Sequence, residues 1–218
     1  MHKMITLYIN PLTVNSIKTI LLCNALEIDV SYQYIQLHKG EQHKKQFKQI
    51  NPEAQVPVLV DGDFVLSESN AILQYLAAKH KSSLWPQCEQ EQAKVLSLLF
   101  WQANYFAAAI SPYAHRRLVL PHWGLPAGEI SSDMQARSHQ ALTALERMLA
   151  QADFLLGKQL TIADISVVSF FIFAEQAGLP LEAYKSIQDW LDKLSTSFWF
   201  DHSQRLLQNI LLTQAEVF

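Results

Sequence analysis

Cysteine is scarce in this chain: 218 residues hold only Cys23 and Cys88, far apart and in no CxxC motif. Cys23 stands among Leu21, Leu22 and Leu26, the setting of an inert core thiol rather than a nucleophile. A dominant charge sign is lacking too, since 17 basic against 20 acidic residues leave a net −3. That balance gives no electrostatic reason to expect nucleic acid or an anionic membrane as partner. The local basic cluster His115-Arg116-Arg117 reads as a solvated loop. Long apolar runs are missing as well. The longest, residues 165–174, falls well short of the about 20 residues a bilayer span needs, and Asp164 and Glu175 bracket it as they would a buried helix. Met1-His2-Lys3-Met4 leads into a short strand rather than into an apolar signal region. Together these features predict a reducing, cytoplasmic setting.

What is present is globular: half of the residues are hydrophobic and 17% are charged. Residues 1–80 alternate strand-like runs (5–9, 30–37, 56–60, 64–66) with helical ones (16–26, 71–79), the grammar of an α/β unit. Asp61-Gly62 between apolar runs predicts a tight hairpin. Residues 81–90 turn polar around Trp85-Pro86 and read as a linker. From residue 91 to 218 strand grammar disappears and apolar residues recur at helical spacing. One helix is predicted over residues 95–110, stopping near Pro112, and another over 162–177, ending at Gly178 and Pro180. Thr161-Ile162-Ala163-Asp164 carries a capping-box pattern, a folding signal rather than a catalytic one.

The junction Leu7-Tyr8-Ile9-Asn10-Pro11-Leu12-Thr13-Val14-Asn15-Ser16 joins the first strand to the first helix. Its small polar groups admit two readings. A helix N-terminus offers free N–H donors and a positive dipole end, so Thr13 and Asn15 are candidates for chemistry. The same residue types also serve simply as caps.

Three stretches together resemble the cytosolic glutathione S-transferase family. Asn51-Pro52-Glu53-Ala54-Gln55-Val56-Pro57-Val58-Leu59 is similar to its NP-x-x-x-VPVL segment. Glu68-Ser69-Asn70-Ala71-Ile72-Leu73-Gln74-Tyr75-Leu76 is similar to ES-x-AI-x-x-YL, and residues 155–164 are similar to L-x-G-x-x-x-T-x-AD. The resemblance covers essentially the whole chain. It implies a thioredoxin-like α/β N-terminal domain that binds glutathione and an all-helical C-terminal domain that lines a pocket for a hydrophobic electrophile. It also implies a homodimer, with glutathione as co-substrate and with neither another cofactor nor a metal. Detoxification is the associated role.

Carried over residue by residue, the resemblance makes Pro57 a cis-proline and leaves the Val56 backbone, beside Gln55, to pair with the cysteinyl part of glutathione. Glu68 suits the γ-glutamyl ammonium, and Ser69 with first-turn N–H groups suits its carboxylate. Gln42, His43 and Lys44 are candidates for the glycine carboxylate, and a plain surface turn is the competing reading for each. Trp101, Tyr105, Tyr113 and the 118–126 loop are candidates to line the electrophile pocket.

A free thiol titrates at about 8.5, so a hydrogen-bond donor aimed at sulfur must favour the thiolate. Many relatives place Ser at this turn, with a basic residue four positions on; here the aligned residue is Thr13, the expected donor to sulfur with Asn15 as assistant or rival, followed by Ile17 with Lys18 beside it. Thr13-Val14-Asn15 resembles the T-x-N arrangement of the bacterial nu-class-like branch, whose associated chemistry is disulfide reduction. Transfer to an electrophile is therefore the leading expectation and disulfide or peroxide reduction an alternative. A non-catalytic binding protein is a third reading, against which intact Val56-Pro57 and Glu68-Ser69 argue.

Overall fold

A computed structural model describes residues 4–214. The strand β1 (Ile5–Ile9) buries Ile5, Leu7 and Ile9 on one face, the period-2 pattern its sequence carries. It pairs in parallel with β2 (Val30–Tyr34) and antiparallel with β3 (Val58–Asp61), which in turn pairs antiparallel with β4 (Phe64–Leu66). The sheet order is β2-β1-β3-β4. Gly62, at φ 68°, takes the first central position of the β3–β4 hairpin, a conformation that costs glycine little.

Helices α1 (Val14–Ala25) and α3 (Ser69–Lys79) pack against each other, and the short α2 (Lys45–Ile50) inserts Phe47 edge-on to Tyr8. This mixed four-stranded sheet with its helices is the thioredoxin-like half of the chain. It is shorter in strand than the sequence suggests: β2 ends at Tyr34, where the chain tightens into a 3-10 turn at Leu37–Lys39, and Val56-Pro57 precede β3.

The second half is helical. The first rod departs from expectation, because it does not stop near Pro112. It runs as α4 (Glu89–Trp101), a π-helical segment (Gln102–Phe106), α5 (Ala107–Ala114), a second π segment (His115–Val119) and α6 (Leu120–His122). Pro112 lies inside α5 and donates no backbone hydrogen bond. The wider turns on either side are the kind of local adjustment by which a helix absorbs such a defect. His115-Arg116-Arg117 is accordingly helical, not a loop.

The rod is followed by α7 (Ser132–Leu149), α8 (Ile162–Val168), α9 (Ala174–Ala177), α10 (Lys185–Ser195) and α11 (Phe198–Gln214). The single helix expected over 162–177 is thus divided. Ser169 Oγ donates to the Ser166 carbonyl at 2.8 Å, and a 3-10 turn (Ser169–Phe171) separates α8 from α9. Gly178, at φ 68°, closes α9 as expected.

All of α8 is buried, and α1 packs against it as well as against α11, so one hydrophobic core runs through both halves. The capping box is realised in full. Thr161 Oγ1 accepts from Ala163 N, and Asp164 Oδ2 accepts from Thr161 N at 2.9 Å. Asp164 Oδ1 also accepts from Leu155 N at 2.8 Å. Burial outweighs these donors and raises the Asp164 carboxyl to about 6.

Candidate functional site

The strand-to-helix junction is fixed by Asn10. Its Nδ2 donates to the Ile35 carbonyl at 2.9 Å, its Oδ1 accepts from Leu12 N at 3.0 Å, and its backbone N–H donates to Ser16 Oγ at 3.1 Å. Thr13 is the N-cap of α1: with φ −97° and ψ 127°, its hydroxyl oxygen accepts from Ser16 N. The single hydroxyl proton of Thr13 faces two local acceptors, the Asn10 carbonyl at 3.0 Å and Ser16 Oγ at 2.8 Å. The capping reading of Thr13 therefore describes its hydrogen bonds.

Asn15 is placed differently. It is exposed in the first turn of α1, and its Oδ1 accepts from Ser69 Oγ at 3.2 Å. That contact commits the acceptor end of the amide and leaves its N–H2 group without a partner among the described residues. Ser69 opens α3 and is buried. Glu68 before it holds φ 67° and ψ 106°, outside the left-handed helical region and costly for a residue with a Cβ. Strain of this kind persists where surrounding structure over-determines it.

Val56-Pro57 is a cis peptide, as the resemblance implied. Val56 makes no backbone hydrogen bond among the described residues, while Asn51 Nδ2 donates to the Gln55 carbonyl at 2.9 Å and holds that loop.

These residues meet in one polar cleft of about 50 Å³, lined among others by Asn15, Gln55, Val56, Pro57, Glu68 and Ser69. A second cavity of about 310 Å³ opens beside it, mainly apolar, with Leu12, Thr13, Val14 and Asn15 on one side and Ala107, Ala114, Val119, Trp123 and Phe170 on the other. Asn15 lines both. Of the residues expected in the electrophile pocket, the 118–126 stretch contributes Val119 and Trp123, whereas Trp101, Tyr105 and Tyr113 do not line this cavity. Trp101 packs on Phe106 at 5.2 Å, Tyr105 is exposed, and Tyr113 receives a hydrogen bond from Ser138 Oγ beside a separate hollow with Arg117 and His139.

The candidates for a glycine carboxylate sit outside both cavities. His43 and Lys44 are exposed, and Lys44 pairs with Glu41 at 2.9 Å. Gln42 is the most enclosed of the three: its Nε2 donates to the carbonyl of Leu37, itself a lining residue of the apolar cavity. Gln42 Oε1 is buried and has no hydrogen-bond partner among the described residues.

Behind the cleft lies a group the sequence pattern left unassigned. Lys18 is 1% exposed, and its Nζ donates to Asn70 Oδ1 at 3.1 Å and to Gln102 Oε1 at 3.0 Å. Ser166 Oγ faces the same two oxygens, at 2.9 and 2.8 Å. Burial lowers the ammonium to about 7, against an opposing pull from Glu68. A lysine inside the apolar run Ile17 to Leu22 was the available signal. Cys23, in contrast, is fully buried with its thiol pushed up to about 12, consistent with an inert role. Among the described residues no cluster of His, Cys, Asp and Glu is arranged to hold a metal, and no helix is long and apolar enough to cross a membrane.

Comparison with known proteins accords with this geometry. Residues 3–78 match the glutathione S-transferase N-terminal domain, and residues 101–193 match the glutathione S-transferase C-terminal domain. Glutathione S-transferase theta-3 of Mus musculus is 32% identical over 166 residues, covering 73% of this chain and 69% of that protein. The crystal structure of a glutathione S-transferase from Pseudomonas fluorescens Pf-5 superposes with a TM-score of 0.81 at 26% identity, covering 90% of this chain and 97% of that one. A glutathione S-transferase-I bound with lactoylglutathione gives 0.85 at 25% identity, with 94% and 100% covered. The α/β sheet domain with its polar cleft, the helical domain and the apolar cavity between them thus belong to a member of the glutathione S-transferase family.

Proposed function

We propose that this protein is a glutathione transferase in which the polar cleft takes the γ-glutamyl-cysteinyl part of glutathione and the apolar cavity takes a hydrophobic electrophile. The observation that carries the reading is the position of Asn15, at the boundary of the two cavities. A thiol presented from the first cavity to a carbon in the second passes this side chain. Its amide N–H2 group, oriented by Ser69, is a donor for the thiolate, and the first turn of α1 adds a positive dipole end. Glu68 supplies a carboxylate for the γ-glutamyl ammonium. Ser69 and the free N–H groups opening α3 suit its carboxylate, and the unpaired backbone of Val56 suits the cysteinyl amide. Gln42 is the most enclosed candidate for the glycine end, held on the carbonyl of Leu37, which lines the apolar cavity beside the cleft.

The reaction is attack of glutathione thiolate on an electrophilic centre: a sulfur–carbon bond forms and the leaving group departs with its bonding electrons. Disulfide reduction is a second reading. The observation favouring it is that the donor free to face sulfur is the amide of the T-x-N pattern rather than a hydroxyl. A cytoplasmic setting and a role in detoxification complete the proposal. A homodimer does so too, supported by exposed Phe64 and Val65 on β4 and by exposed Leu96 and Phe100 on α4.

Calorimetry with glutathione tests the whole reading, and absence of binding removes it. Assay of chlorodinitrobenzene conjugation beside glutathione-coupled disulfide reduction separates the two chemistries, and sedimentation reports the dimer.

A further inference from the structure

We propose that Lys18 is a positioning residue of the glutathione site: a buried ammonium that ties the Ser69-Asn70 turn to the helical half and places positive charge one helical turn behind Asn15. This rests on the glutathione reading above and specifies how the site favours an anion.

The geometry begins with helix period. Asn15 and Lys18 are three residues apart on α1, hence on one face. Opposite them on α3 stand Ser69 and Asn70, in the same order. Ser69 Oγ bonds Asn15 at 3.2 Å and Asn70 Oδ1 accepts from Lys18 at 3.1 Å, so α1 and α3 are joined by two consecutive rungs. The outer rung faces the cleft, and the inner one starts from the buried Lys18 and ends on the half-buried Asn70. Asn70 then reaches the helical half, with Nδ2 donating to the Leu99 carbonyl and to Gln102 Oε1, each at 3.1 Å. Lys18 and Ser166 converge on the same amide oxygens.

Charge is the unusual part. An ammonium loses its hydration on burial, and an apolar side chain of similar length fills such a position without that cost. The groups facing Lys18 do not neutralise it at close range. Asn70 from α3, Gln102 from the π segment and Ser166 from α8 are neutral. Asp164 of α8 is engaged with Thr161 and Leu155, and on α11 Asp201 pairs with Arg205 while His202 stacks on Phe198. The charge acting on Lys18 is Glu68, in the wall of the polar cleft. Ammonium and cleft are thus electrostatically coupled, and the protonated form, which prevails below about pH 7, favours the anionic peptide and its thiolate.

The test compares the parent with Lys18→Met, Lys18→Arg and Asn70→Asp. The last keeps the side-chain shape and sets a carboxylate on the ammonium. Ultraviolet titration of bound glutathione gives the apparent pKa of its thiol, and steady-state kinetics separates glutathione KM from kcat. Lys18→Met is expected to raise the thiol pKa by about one unit and to raise glutathione KM about tenfold. Lys18→Arg restores part of both shifts, and Asn70→Asp moves them in the direction of Lys18→Met. A lysine of merely structural importance lowers the melting midpoint and leaves the thiol titration alone. If folded Lys18→Met retains the parental thiol pKa and KM, the proposal is overturned. Where that variant does not fold, parental values in Asn70→Asp overturn it instead. A parent that does not bind glutathione overturns the underlying reading and this inference together.

Discussion

The Ser69 hydroxyl donates to Asn15 Oδ1 across 3.2 Å, joining the first turns of two helices that are 54 residues apart in sequence. The contact places the N-termini of α1 and α3 side by side, so two sets of unsatisfied backbone donors and two positive dipole ends converge on one cleft. An anion with two charged ends, such as a γ-glutamyl peptide, finds both there. The contact also fixes which end of the Asn15 amide is free.

Thr13 and Asn15 therefore separate into different jobs. Asn15→Ala is expected to raise the pKa of bound glutathione thiol by about one unit and to lower conjugation at neutral pH about tenfold, in proportion to the thiolate lost. Melting should change little, because Asn15 is exposed. Thr13→Ala should instead cost about 1 kcal/mol of stability through loss of the N-cap, read from the denaturant midpoint, with a smaller effect on the thiol. If Thr13→Ala moves the thiol pKa and Asn15→Ala does not, the hydroxyl is the sulfur donor and the roles are reversed.

Much of this was legible in sequence because it is written locally. The alternation of β1, the Asp61-Gly62 turn, the Thr161–Asp164 cap and the Gly178 stop are each decided within a few residues. The apolar cavity was not, and Pro112 is the reason. With the helix expected to stop there, Ala107, Ser111, Ala114 and His115 did not read as one stripe. In a rod that continues through the proline their spacing of four, seven and eight residues forms a single face, and that face lines the cavity. Lys18 was illegible for another reason: its partners Asn70 and Gln102 lie 52 and 84 residues away in sequence.

The stripe gives a prediction of its own. Ala107→Phe should fill part of the cavity of about 310 Å³ and raise KM for a bulky electrophile by about tenfold or more, because one lost apolar contact region is worth about 1–3 kcal/mol. Glutathione KM should stay near the parental value. Tyr105→Ala, outside the cavity lining, should change neither constant. Steady-state kinetics with each substrate varied in turn decides the matter, and an effect of Tyr105→Ala equal to that of Ala107→Phe contradicts the assigned wall.

The two cysteines should differ in reactivity. Cys23 is fully buried with its thiol raised to about 12 by burial, whereas Cys88 is exposed at the N-cap of α4. A chromogenic disulfide reagent should label Cys88 alone in the native protein and both thiols after denaturation. Prompt labelling of Cys23 in the native state would show that α1 opens far more readily than its packing implies.

Lys18 and Asp164 should leave opposite marks on stability as pH changes. The Lys18 ammonium titrates at about 7 when folded against 10.5 when free, so between these values the unfolded chain holds more protons. Stability contributed by this group is lowest below about pH 7 and rises as pH increases through the window toward 10.5. Asp164 is raised to about 6 from 3.8, so there the folded chain holds more protons, and stability falls as pH rises from 3.8 to about 6 before levelling. Denaturant melts of the parent and Lys18→Met across pH 6 to 10 should show their difference in stability shifting toward the parent as pH rises. Melts of Asp164→Ala should show a loss of about 2–4 kcal/mol near neutrality, since its removal leaves the buried Thr161 N–H and the half-buried Leu155 N–H unpaired. A Lys18→Met difference that does not vary with pH would mean that the folded ammonium keeps its ordinary proton affinity, and with it a hydration the packed seam between α1, α3 and α8 does not provide.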